Sequence, residues 1–256
     1  MENSLSVVDK RILITGATRG IGAFLAHGLA QAGARVGLCG RTERDLQEVA
    51  AAIYDATGQT VATAQMDVRD VASIQRAVDV VRESLGGLDG LVNNAGVNIR
   101  TKALDVTEQD WDTVVDTDLK GTFFVAQAVG QTLCKQGHGA VVNISSVGGH
   151  VALRTGTAYA SAKAGVIHMT KSLACEWAKE GVRVNCVAPW YFKTPLTEPL
   201  LANEEYHREV VSRTPMGRVG ELHELLGPII FFLSDAASYV TGQTLLVDGG
   251  MGVYGF

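Results

Sequence analysis

The chain has 256 residues, 46% apolar and 19% charged, with a formal net charge of −5. That composition supports a sizeable core, and the absence of any Lys/Arg block argues against nucleic acid or an acidic membrane surface as partner. No run of about 18 uncharged apolar residues suggests a membrane span, and MENSLSVVDKR lacks the basic and apolar regions of a signal peptide, so a soluble cytoplasmic protein acting on a small molecule is expected.

Short β-rich apolar runs alternate with stretches of helical period. Strands are predicted at RILIT (11–15), ARVGLC (34–39), TVATAQM (60–66), LDGLVNN (88–94), GAVVNIS (139–145), VRVNCVA (182–188) and TLLVD (244–248), with helices near 20–32, 43–57, 70–85, 107–135, 157–180 and 221–233. Asp70 is placed to open one helix, and Thr107 with Asp110 resembles a capping box with Asp in place of Glu. Nearly continuous apolar strands in strict alternation with helices imply right-handed crossovers and a parallel sheet covered on both faces. The expectation is one α/β domain over residues 1–256, a doubly wound parallel sheet of about seven strands. The stretch 189–219 holds four of the five prolines and is the least regular, a place where such folds carry a substrate lid. The four cysteines, Cys39, Cys134, Cys175 and Cys186, are far apart and lack a C-x-x-C pair, so they are read as buried free thiols, with no metal site expected.

The first chemical signal is ITGATRGIG (14–22), which leaves a strand and enters a helix. Gly16, Gly20 and Gly22 fall where a tight turn lets backbone approach a pyrophosphate at a helix N-terminus. A glycine turn serves strand-to-helix packing equally well, so context has to decide. At the end of the second strand, where an NAD site normally offers an acid, the sequence has Gly40, Arg41 and no acid until Glu43. Arg41, with Arg19 from the glycine run, suits a 2′-phosphate and favours NADPH over NADH; the alternative is that Arg41 caps a solvent-facing turn. Asp67, ending the third strand, is placed for an adenine edge. In NNAG (93–96) the amides of Asn93 and Asn94 serve either the cofactor or neighbouring loops, with the structural role preferred for Asn93. In TAYASAKAG (157–165), Tyr159 and Lys163 share one helix face, and a cation there favours loss of the phenol proton. That spacing alone also describes an ordinary helix surface.

TGATRGIG, Asp67, NNAG, a serine thirteen residues before Tyr159 and Y-A-S-A-K, in that order over nearly the whole chain, resemble the short-chain dehydrogenase/reductase family. The segments 169–185, 214–220 and 236–243 look most like its tropinone reductase-like branch. The resemblance implies a Rossmann-type fold and an NADPH-dependent reductase of a small ketone, with Tyr159 as proton donor, Lys163 on the nicotinamide ribose, and Ser146 at the substrate oxygen; Ser145 competes for that role. It adds Thr18, Ile21, Val68, Ala95 and Gly96 as cofactor contacts beside Asn94, and Phe192 and Thr194 near the nicotinamide and diphosphate. Asp118 stands where the family usually has an Asn that helps hold a water linking Lys163 to solvent; the relay is expected to survive. Trp190 replaces the family's usual glycine, and Trp190 and Tyr191 either line a pocket or pack the base of the lid. Candidate pocket residues are Ser146, His150, Trp190 and Leu196, with Leu200, Leu201, Tyr206, VNIR (97–100), Arg100 and Arg154 nearby. The alternatives are a dehydrogenase of a sugar or sugar acid (gluconate dehydrogenase-like), a 3-oxoacyl thioester reductase, and a cofactor-sensing binding protein on an enzyme scaffold. Apolar positions Val166, Met169, Leu173 and Trp177 exceed one sheet-facing stripe, which with the resemblance predicts a homotetramer, or failing that a dimer.

Overall fold

A computed structural model describes residues 4–253. Seven parallel strands form one sheet in the order β3-β2-β1-β4-β5-β6-β7. They are β1 Arg11–Thr15, β2 Arg35–Gly40, β3 Ala62–Gln65, β4 Gly90–Asn93, β5 Gly139–Ile144, β6 Val182–Pro189 and β7 Thr244–Val247. Each coincides with a predicted apolar run to within two residues at either end. The order runs outward in both directions from the β1–β4 pair, so their carboxyl ends flank a crevice where the winding reverses.

The β1 side chains show the two-sided burial directly. Ile12 and Ile14 pack under α1 (Gly20–Gln31), α2 (Glu43–Thr57) and α9 (His223–Leu233), whereas Leu13 faces α3 (Val71–Leu85), α5 (Thr122–Gln136) and α6 (Thr157–Trp177). Burying a Leu or Ile side chain contributes roughly 1.5–3 kcal/mol, and these two cores run the length of the sheet. Val166 and Leu173 of α6 are fully enclosed, and Met169 and Trp177 pack against the second core. Met169 and Trp177 stay partly exposed, so part of this apolar face remains open to solvent on the single chain.

Local signals behave as their chemistry requires. The Asp70 carboxylate accepts the Ala72 N–H at 2.9 Å, and Thr107 Oγ1 accepts the Asp110 N–H at 3.1 Å. The predicted helix 107–135 is interrupted: α4 (Glu108–Val115) passes into a wider π-type turn, Asp116–Gly121, before α5 begins. The stretch 189–219 is more ordered than expected, because Asn203 Oδ1 caps a helix by accepting the Tyr206 N–H, giving short helices α7 (Glu198–Leu201) and α8 (Glu204–Ser212). All four cysteines are free; Cys39 and Cys186 are buried as expected, whereas Cys134 is only half-buried and Cys175 is exposed on α6. Among the described residues no helix is long and apolar enough to cross a membrane.

Candidate active site

The crevice at the carboxyl ends of β1, β4 and β5 opens into a cavity of about 320 Å³, within the usual size of ligand sites. At one end lies the glycine turn. Gly16 has φ +64°, and a Cβ there would stand 2.9 Å from the Ala95 Cα, so only glycine fits. Gly22 is corrected from a cofactor contact to a packing position: it is off the cavity wall, where a side chain would collide with the Gly16 carbonyl. Thr18, Arg19, Gly20 and Ile21 line the wall, with the first turn of α1 behind them.

The NNAG segment holds this turn. Asn94 Nδ2 donates to the carbonyls of Thr15 (3.0 Å) and Gly16 (3.2 Å), while Thr15 Oγ1 accepts the N–H groups of Asn94 and Ala95. Asn94 thus faces the cavity yet spends its amide on the loop. Asn93 is structural as expected, donating to the Thr122 carbonyl at 2.7 Å. Ala95 and Gly96 remain on the wall.

Arg41 lies exposed on the same wall, its carbonyl accepting from Gln65 Nε2, with no carboxylate within ion-pair reach among the described residues. Asp67 and Val68 line the cavity beside it. The Asp67 carboxylate is clasped by Arg69 at 2.7 Å, which holds it below the usual carboxylate range against the opposing effect of burial. Sequence reasoning missed Arg69, although an arginine two residues after a site aspartate was the available signal.

At the other end β5 delivers two serines. Ser145 is buried and its hydroxyl donates to the Lys163 carbonyl at 2.8 Å, fastening β5 to α6. Ser146 is half-buried on the cavity wall, its Oγ accepting the Gly148 N–H at 3.1 Å. Its own proton remains free to donate inward. Tyr159 lines the cavity one turn before Lys163, whose Nζ lies 5.6 Å from the phenol ring centre and donates to the Ile144 carbonyl at 3.1 Å.

Asp118, carried by the π-type turn, lies behind these two residues and is fully buried. Oδ1 accepts the Val97 N–H at 2.7 Å, and Oδ2 stands 3.2 Å from Lys163 Nζ. Its backbone carbonyl accepts the Thr122 hydroxyl at 2.8 Å. The carboxylate therefore meets the ammonium directly. Burial pushes the Asp118 carboxyl up, with Lys163 and the Val97 N–H opposing. Burial is the largest single influence on Lys163 and disfavours its charge, but Asp118, Tyr159 and Cys186 together outweigh it and the ammonium ends raised.

The segment after β6 closes the cavity. Trp190 both lines it and braces the segment, its Nε1 donating to Thr214 Oγ1 at 3.2 Å, its ring edge-on to Tyr191. Phe192 is on the wall but mostly sunk in the core, and Thr194 sits across from Gly20. Leu196 lines the mouth and is largely exposed. His150 is corrected: it ends the tight turn after Ser146, which aims it at the surface and off the wall. Arg154 is ion-paired with Glu209 at 2.7 Å, and neither it nor Leu200, Leu201 or Tyr206 reaches the wall, whereas Arg100 does.

A turn that only glycine fits, a cation at the second strand, and Ser146 and Tyr159 facing one cavity define a nucleotide-dependent oxidoreductase site. The family model described as enoyl-(acyl carrier protein) reductase matches residues 16–252, and the chain belongs to the short-chain dehydrogenase/reductase family. It is 41% identical to a gluconate 5-dehydrogenase of Gluconobacter oxydans (strain 621H), over 97% of this chain and 96% of that protein. It is also 41% identical to a chloroplastic tropinone reductase homolog of Arabidopsis thaliana, over 95% of this chain and 76% of that protein. The crystal structure of a gluconate 5-dehydrogenase from Burkholderia cenocepacia J2315 in complex with NADP and tartrate superposes with TM-score 0.95 at 38% identity, covering 99% of each chain.

Proposed function

We propose that the protein is an NADPH-dependent reductase that converts the carbonyl of a small ketone to an alcohol. The observation that carries this reading is the convergence of Ser146, Tyr159 and Lys163 on the same cavity as the glycine turn and Arg41. The residues fit a dinucleotide. The Gly16 turn admits no side chain, leaving backbone N–H groups for a diphosphate with Thr18, Gly20, Ile21 and Thr194 around it; Arg41 and Arg19 supply cations for a 2′-phosphate, and Asp67 and Val68 flank the adenine position. Asn94, Ala95, Gly96, Phe192, Tyr159 and Lys163 complete the wall toward the nicotinamide end. Bound there, the nicotinamide supplies the hydride.

The chain's own residues then manage the oxygen and the proton. The Ser146 hydroxyl donates to the carbonyl oxygen and stabilises the developing alkoxide, and Tyr159 delivers its phenolic proton as general acid. Lys163 keeps a positive charge beneath the phenol, its position set by Ile144 and Asp118. The segment 189–219 acts as the lid. A second reading, oxidation of a sugar acid, is supported by the gluconate 5-dehydrogenases among the relatives.

Turnover of a panel of ketones, sugar acids and steroids with NADPH and NADH tests both. A higher kcat/KM with NADPH is expected, falling about 10- to 100-fold in Arg41→Ala with NADH turnover retained. Tyr159→Phe is expected to lower kcat at least about 100-fold. Preference for NADH, or full activity in Tyr159→Phe, overturns the reading.

A further inference from the structure

Arg41 and Asp67 are brought side by side by the sheet. They follow the neighbouring strands β2 and β3, whose ends pair Gly40 with Gln65. Met66 N–H donates to the Gly40 carbonyl at 2.8 Å, and Gln65 Nε2 to the Arg41 carbonyl at 2.6 Å. A guanidinium and a carboxylate on one wall are ready partners, yet Arg41 makes no ion pair with a described residue.

The Asp67 carboxylate is taken by Arg69 instead. The turn between β3 and α3 is set by Ser73 Oγ, which accepts the Asp67 N–H at 3.1 Å, and by the Asp67 carbonyl, which accepts the Asp70 N–H at 3.1 Å. Within that turn Arg69 folds back on Asp67. Its backbone N–H and Nε donate to Oδ1 at 3.0 and 3.1 Å, and Nη2 donates to Oδ2 at 2.7 Å. Both lone pairs of Oδ1 are thereby spent, and one on Oδ2 is left. Because the partners are two residues apart in a fixed turn, this pairing orders less chain than one reaching across from Arg41. Both side chains stay partly exposed on the cavity wall, so neither serves to fill the core. The Arg69 bonds hold the carboxyl below its usual range against burial, and the Arg41 charge acts in the same direction, so Arg41 is within electrostatic reach of it. Asp116, on the π-type turn, adds a more distant negative charge on the Arg69 side.

We propose that Arg69 is a selectivity residue for the cofactor that acts through Asp67: by occupying the carboxylate it keeps Asp67 from capturing Arg41, and leaves Arg41 free for a 2′-phosphate. This role deepens the NADPH reading and rests on the assignment of Arg41 to that phosphate. A phosphate monoester carries close to two negative charges at neutral pH, so a bare carboxylate beside Arg41 would weaken its binding twice, by repulsion and by competition for the guanidinium.

Calorimetric titration of the protein with adenosine 2′,5′-bisphosphate and with adenosine 5′-monophosphate, which differ only in the 2′-phosphate, tests this without turnover. The wild type is expected to bind the bisphosphate at least about 10-fold more tightly. Arg69→Gln should lower that preference about 10-fold, chiefly by weakening the bisphosphate. Adding Asp67→Asn to Arg69→Gln should restore the preference, because no carboxylate remains to engage Arg41, and Arg69→Lys should keep part of it. Equal weakening of the two nucleotides by Arg69→Gln, as a purely structural role in the adenosine wall requires, overturns the role of Arg69 while leaving the NADPH reading standing. So does a double variant that fails to regain the preference. A wild type that binds the two nucleotides alike, or neither, overturns the NADPH reading and the role of Arg69 with it.

Discussion

Two neighbouring serines illustrate what a single residue's environment decides. Ser145 and Ser146 are chemically identical, yet one donates to the Lys163 carbonyl inside the core while the other keeps its proton over the cavity. Asp118 is governed in the same way. Lys163 is raised, so it holds its proton; Asp118 is also raised, so it is the partner that takes up a proton first as pH falls, above the ordinary carboxylate range. As pH falls through that value Lys163 loses its countercharge. Asp118→Asn removes this titration while keeping the shape, and is expected to retain most of kcat near neutrality with the acid limb of the rate profile moved to lower pH. An unchanged profile would leave Asp118 without a role in placing or relaying the proton. The motif residues were legible in sequence because their neighbours are fixed by chain spacing: Tyr159 and Lys163 lie one turn apart, and Ser146 ends a strand. The clasp of Arg69 on Asp67 and the exposure of His150 were not, because each depends on how a turn directs a side chain after its strand ends.

At the scale of elements, strands were easier to read than helix interruptions. An apolar run buried on both faces is visible in composition, whereas the π-type turn at Asp116–Gly121 sits inside helix-forming sequence, with Asp118 bonded to Val97 just after NNAG. Elements are also tied at their ends. Arg11, opening β1, donates Nε and Nη2 to Asp89, just before β4, and its backbone N–H adds a third bond at 2.8 Å. Burial of Asp89 favours its neutral form, but these bonds outweigh that and hold the carboxyl below its usual range. The folded value lies below the unfolded one, near 4, so the stabilisation is complete above that pH and is lost as pH falls through the lower folded value. Asp89→Asn is expected to cost about 2 kcal/mol at pH 7 by urea unfolding, with the difference from wild type shrinking toward zero in acid. A cost independent of pH would show that shape rather than charge joins these strands.

For the whole molecule, the α6 face carrying Met169 and Trp177 is only partly covered, and further apolar side chains lie exposed elsewhere. Leu104 and Trp111 are exposed around α4, and Tyr239 and Leu245 around the edge strand β7. We propose that these two regions, far apart in the topology, serve separate self-complementary interfaces, as a tetramer built from dimers requires. Light scattering at working concentration is expected to give the mass of four chains, and a monomer would overturn this. Tyr239→Asp is expected to reduce the mass without altering the fold.

The segment between β6 and α9 closes on itself at its neck. Gly220 N–H donates to the Tyr191 carbonyl, Phe192 bridges to Gly220, and Trp190 is fixed to both Val247 and Thr214. Because the neck is closed by its own bonds, lengthening or shortening the residues between costs little chain entropy. Ser146, Tyr159 and Lys163 lie outside that excursion, at the end of β5 and on α6. We propose that substrate preference is carried largely by this excursion, an exchangeable cassette that can change in length and sequence while the serine, tyrosine and lysine beneath it stay in place.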